Sequence, residues 1–153
     1  MLSPQRRAVV AWAVILALVA ALHFVDHVVR GAIVVADDLN PTWNHSGWPF
    51  REEVNPFTFS LVGVTLTLLG GIFFTLRGKL GAGYWVGAGI FLAALVTVVH
   101  FISRPAETPS VIYNTYGGGW QPVAALLVGV GIYLGIGMTI ANAIVLRRAE
   151  GHW

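Results

Sequence analysis

The sequence predicts an all-α integral membrane protein, a four-transmembrane-helix bundle with both termini cytoplasmic. Three observations predict it. The chain of 153 residues is 56% hydrophobic and only 10% charged, with a mean hydropathy of +0.73. A soluble domain carries roughly 25% charged residues, so too few remain here to cover a watered surface. The apolar residues also fall into four stretches free of Asp, Glu, Lys, Arg and His: Ala8–Leu22, Phe57–Leu76, Ala82–Val99 and Val123–Leu146. Finally, six of the nine Lys and Arg would lie on one side of a four-span chain.

Crossing a bilayer core of about 30 Å takes roughly 20 helical residues. The second and fourth stretches meet this unaided, and the third does so with His100 and Phe101. The first has fifteen uncharged residues. It becomes long enough only if its helix continues through His23, Asp26, His27 and Arg30 into Gly31–Ala36. That run also has the layout of a signal peptide, with basic residues ahead of an apolar stretch and small residues behind it. The expectation is that it is kept as the first span. The four spans are placed at about 8–35, 57–76, 82–102 and 123–146, in a single membrane domain covering 1–153.

Orientation follows the excess of Lys and Arg in short cytoplasmic flanks. Arg6 and Arg7, Arg77 and Lys79, and Arg147 and Arg148 share one side, which is read as cytoplasmic. Loops 37–56 and 103–121 then face outward, across a bacterial or archaeal cytoplasmic membrane. Trp43, Trp48, Phe50, Tyr113, Tyr116 and Trp120 in these loops suit an aromatic belt at headgroup level. The segment His45-Ser46-Gly47-Trp48-Pro49-Phe50 reads as a lid, and Gly117–Gly119 as a linker.

Several function classes are excluded. The absence of cysteine rules out thiol relays, thiolate metal sites and iron–sulfur clusters. The formal charge of +2 is not gathered into a basic patch, so nucleic acid is not an expected partner. The expected partner is the lipid bilayer. A homo-oligomer or a larger membrane complex is a further candidate, through small-residue rows such as Gly83/Gly87, Gly131/Gly135 and Gly63/Thr67/Gly71.

One segment carries chemistry. His23, Asp26, His27 and Arg30 are spaced i, i+3, i+4 and i+7, which sets all four on one helix face. A face this polar must turn toward the bundle interior, because a charge near mid-membrane costs about 2.5–3.5 kcal/mol on insertion scales. At about 1.5 Å per residue, His27 and His100 reach similar depth on spans that run the same way. Arg104, Trp48 and His45 are placed to approach them from the outer side.

Three readings of the cluster compete with a plain Asp26–Arg30 ion pair. His23, His27 and His100 fit a divalent metal, with Asp26 as a fourth ligand or as an orienting group. A haem held by axial histidines is the variant of this reading. Alternatively, His27, Asp26 and His100 perform acid–base catalysis on a lipid or other apolar substrate. Arg30, Arg104, Trp48 and His45 would then bind that substrate. In the third reading the protein is an accessory subunit and the stripe is an interface.

Overall fold

The computed structural model describes residues 2–36, 56–102 and 108–151. Those residues are almost entirely helical and include no strand. The helices are α1 (Pro4–Ala36), α2 (Pro56–Thr65), α3 (Gly71–Leu76), α4 (Ala82–Thr97), α5 (Pro109–Thr115) and α6 (Gln121–Ala149). Two π-helical turns interrupt the series, Leu66–Gly70 between α2 and α3 and Val98–Ile102 after α4. Each prolongs its helix rather than ending it, so Pro56 to Leu76 is helical throughout.

Three helices are long and apolar enough to cross a membrane: Pro4–Ile33, Ala82–Ile102 and Gln121–Ala149. At about 1.5 Å per residue they measure roughly 45, 31 and 43 Å, against a hydrocarbon core of about 30 Å. Ser60–Leu76 is a shorter apolar helix. These helices support a multi-pass membrane protein in a lipid environment. Their outward faces agree, since Leu18, Leu22, Val25 and Val29 of α1 and Leu127, Val130 and Leu134 of α6 are all exposed. A water-soluble monomer rarely exposes so continuous an apolar surface.

The chain's local signals explain where the helices start and stop. Ser3 Oγ accepts the Arg6 N–H at 3.2 Å, and Pro4 occupies the first helical position, where its missing N–H costs nothing. After α3, Gly78 takes a φ of +71°, while its N–H reaches the Thr75 carbonyl and the Lys79 N–H reaches the Phe74 carbonyl. This is the Schellman closure that glycine permits. The stretch from 103 to 121, expected as a loop, contains α5. Thr108 caps it, its Oγ1 accepting the Val111 N–H at 3.4 Å, and Pro109 opens it.

α1 buries Val9, Ala13, Leu16, Ala20, His23, His27 and Arg30 along one stripe, with Gly31 beside the last of them. The intervals along the stripe alternate four and three, the seam of a helix that packs along its whole length. The buried stripe of α6 repeats likewise through Ala125, Ile132, Ile136, Thr139, Ala143 and Leu146. The two helices run antiparallel. Gly135 and Gly131 of α6 lie against Leu16 and Val19 of α1, and Arg6 Nη2 meets Glu150 Oε1 at 2.8 Å at the other end. The turn between α3 and α4 sits at that same end, with Gly78 beside Arg6 and Gly81 beside Glu150.

α4 packs antiparallel on α6 and on the helix before it. Gly89 is pressed against Ile140 so closely that a Cβ there would lie 2.3 Å from Ile140 Cγ1. The Trp85 indole N–H donates to Thr75 Oγ1 at 2.9 Å, and the Tyr84 hydroxyl donates to the Thr67 carbonyl at 2.6 Å. The expected small-residue rows divide accordingly. Gly131, Gly135 and Gly71 are packed inside the chain, whereas a Cβ added at Gly63, Gly83 or Gly87 would meet nothing within 4 Å.

Candidate metal centre

The polar stripe continues the apolar seam of α1. Positions that hold Val9, Ala13, Leu16 and Ala20 along the lower helix hold His23, His27 and Arg30 further on. The helix thus needs no irregularity to aim them inward. Val25 and Val29 occupy the opposite, exposed side.

His100 arrives from the π turn after α4. The inward sector of α4 runs through Trp85, Gly89 and Leu92. The extra residue of the wider turn brings His100 into the same sector, where it is 8% exposed. π-Helical insertions of this kind are rare and recur at functional sites.

The three imidazoles converge. His23 Nε2 lies 3.0 Å from His27 Nε2 and 3.3 Å from His100 Nε2. One ring nitrogen from each histidine lies within 4.8 Å of the others. Ring centroids are 4.5 Å apart for His23 and His27, and 5.2 Å for His23 and His100. Two bare nitrogen lone pairs at such distances repel, so each close pair shares either a proton or a metal ion. With a proton, His23 Nε2 is the common partner of the other two rings.

Asp26 stands beside this cluster and faces elsewhere. Arg30 Nε donates to Asp26 Oδ2 at 2.7 Å, and Arg30 Nη2 lies 2.7 Å from the same oxygen. The Tyr116 hydroxyl donates to Asp26 Oδ1 at 2.5 Å. The Arg30 side chain is fully buried, a state that a guanidinium tolerates only beside a carboxylate. Burial, and then the Asp26 carboxylate, push the Tyr116 phenol above the ordinary tyrosine value. The hydrogen bond from Tyr116 to Asp26 therefore ties the later part of α1 to the end of α5.

Beneath the histidines lies a cavity of about 60 Å³. Apart from the three imidazoles and Ser60, its walls are apolar and come from α1, α2, both π turns, α4 and α6. Water needs two to four polar partners to settle in such a space, and most of this wall offers none.

The structure thus brings together His23, His27 and His100, with Asp26 and Arg30 adjoining. His45, Trp48 and Arg104 lie outside the described residues. Tyr116 was expected only in the aromatic belt. It contacts Asp26 across 90 positions of sequence, which no local pattern announces. No family model, no curated protein and no solved structure matches the chain.

Proposed function

We propose that this is a four-span protein of a cytoplasmic membrane that binds one divalent first-row transition metal through His23, His27 and His100. The fourth span is Pro56–Leu76, whose 21 residues reach about 31 Å. The basic residues Arg6, Arg77, Lys79, Arg147 and Arg148 gather at the end where α1 begins and α6 finishes. The excess of positive charge assigns that end to the cytoplasm and turns the histidine end outward.

The observation that carries the metal reading is the spacing of the Nε2 atoms. A tetrahedral ion with metal–nitrogen bonds of about 2.0–2.1 Å holds its ligand nitrogens about 3.3–3.4 Å apart. Two of the three edges are 3.0 and 3.3 Å. One ring nitrogen from each histidine lies within 4.8 Å of the others, so the triangle closes with a movement of an imidazole by at most about 1.5 Å. Neutral imidazole suits zinc, copper, iron and nickel. Three protein ligands with a free fourth position is the arrangement of ions that act on substrates, and the cavity supplies the space. A haem fits poorly. Axial ligands approach from opposite faces of a ring, whereas these nitrogens converge on one point beside a space far too small for a porphyrin.

The test is metal content and stability of the purified protein in detergent. One equivalent of zinc or cobalt is expected, with the absorption of tetrahedral cobalt(II), and a chelator should lower the melting temperature. His23→Ala, which removes the central nitrogen, should abolish all three effects. A protein that takes up no metal and melts identically with and without chelator would leave the cluster as a hydrogen-bonded triad.

A further inference from the structure

The cavity under the histidines shares a wall with a groove at the seam between α1 and α2. Ala20, Phe24, Val64 and Leu68 line the cavity. The same four residues line a groove of about 500 Å³ on the outer face of that seam, in the apolar, exposed belt of the protein. They are therefore one side chain thick, a wall between bilayer and cavity. Among the described residues, α1 packs against the second helix chiefly through the π turn Leu66–Gly70 and α3, so the seam loosens toward α2. The turn that widens this helix lies at the seam itself, as Leu68 shows by lining both spaces.

We propose that this seam is a lateral entrance through which an unbranched alkyl chain passes from the bilayer into the cavity, ending against the three-histidine centre. The chemistry of the walls selects the ligand. A polar molecule entering there would give up its hydrogen bonds to water and find none in an apolar lining. Size selects further. An engineered apolar cavity of about 150 Å³ holds benzene, and this one is under half of that. Rings are excluded, and the end of a single chain is what remains. Phe24, half-buried between the two spaces, is the side chain whose rotation opens the passage. The inference deepens the metal reading by naming what the open coordination position faces. The passage itself does not depend on a metal being bound.

The experiment uses the whole chain in nanodiscs, with either a fatty acid or a phospholipid carrying a photoactivatable diazirine near the end of its alkyl chain. After illumination, adducts are mapped by peptide mass spectrometry, with zinc present and again in chelator. Labelling of Leu92, Val96, Ile132 or Ile136, which wall the cavity from α4 and α6, is expected from at least one of the carriers. The carrier that labels tells whether the chain arrives free or as part of a phospholipid. Ala20→Phe fills the shared wall and should reduce cavity adducts about tenfold, the factor that roughly 1.4 kcal/mol of lost binding gives. Val64→Phe does the same from the other helix, should the first variant fold poorly. Adducts confined to outward residues such as Leu18 and Leu69, unchanged by either substitution, would overturn the proposal. Cavity labelling in a protein that binds no metal would keep the entrance and refute the metal centre. Metal binding without cavity labelling would do the reverse.

Discussion

Asp26→Asn separates two roles that one carboxylate beside two histidines can play. As a metal ligand, Asp26 would be needed for binding. As a clamp, it is needed for the fold. In the structure its oxygens meet Arg30 and Tyr116, and Arg30 is 0% exposed. Replacing the carboxylate with an amide leaves a buried guanidinium facing a neutral group. At an effective dielectric near 20, a pair whose charges are about 4 Å apart interacts by about 4 kcal/mol. Losing one partner of a buried pair costs about 3–5 kcal/mol. The amide oxygen keeps one hydrogen bond, worth about 1 kcal/mol. We therefore expect a loss of about 3 kcal/mol, a factor of roughly 150 in the unfolding equilibrium. Reversible unfolding in mixed micelles measures it. The metal stoichiometry should stay at one, because the proposed ligand nitrogens belong to His23, His27 and His100. The paired apolar variant Asp26→Leu with Arg30→Met should be less damaged than Asp26→Asn alone, since no charge is left buried. The reasoning is refuted if Asp26→Asn unfolds within about 0.5 kcal/mol of the parent chain. It is equally refuted if that variant loses the metal while remaining stable.

Gly89→Ala should destabilise by about 1–3 kcal/mol, because its Cβ would collide with Ile140, whereas Gly87→Ala should be neutral or slightly stabilising. Thermal melts of the two variants, side by side, check this. Thr75→Val should cost about 1–3 kcal/mol by removing the acceptor for the buried Trp85 indole, with a change in tryptophan fluorescence as its signature. Tyr116 should ionise above the ordinary tyrosine value, and its late phenolate absorbance should vanish in Tyr116→Phe. Its raised value means that the fold holds this proton more tightly than the unfolded chain does. The stability it contributes is thus complete below the ordinary tyrosine value of about 10 and is lost as the pH rises above it.

The spacing of His23, Asp26, His27 and Arg30 was enough to predict their common inward face, because helical periodicity alone sets it. The depth match of His100 followed from counting helical rise. The role of Asp26 did not follow. A carboxylate between two histidines looks like a ligand in sequence, and only the arrival of Tyr116 from a distant helix shows that it is turned aside. The widening at Val98–Ile102 was also illegible, since these five residues carry no proline or glycine to mark a departure from the α-helix. The short helix α5 was legible in principle. Thr108 followed by Pro109 is a helix start, hidden by reading the whole stretch as a loop. In α4 the i,i+4 glycines Gly83 and Gly87 do not mark the close contact within the chain. The tight position is Gly89, two residues beyond the pair, because its seam is set by where Ile140 falls on α6.

The meeting of Arg6 with Glu150 beside the α3–α4 turn has a consequence for connectivity. Two adjacent segments can be joined by a short linker, and an exposed turn can be cut. A chain opened between Arg77 and Gly81 and joined across its former ends would begin with α4 and finish with α3. Every helix would keep its direction through the bilayer, because the old and new breaks lie on the same side. His100 would then be made before His23 and His27 instead of after them. If the centre assembles in that circularly permuted chain, the order in which the helices leave the ribosome is no part of the site, and the packed bundle alone defines it.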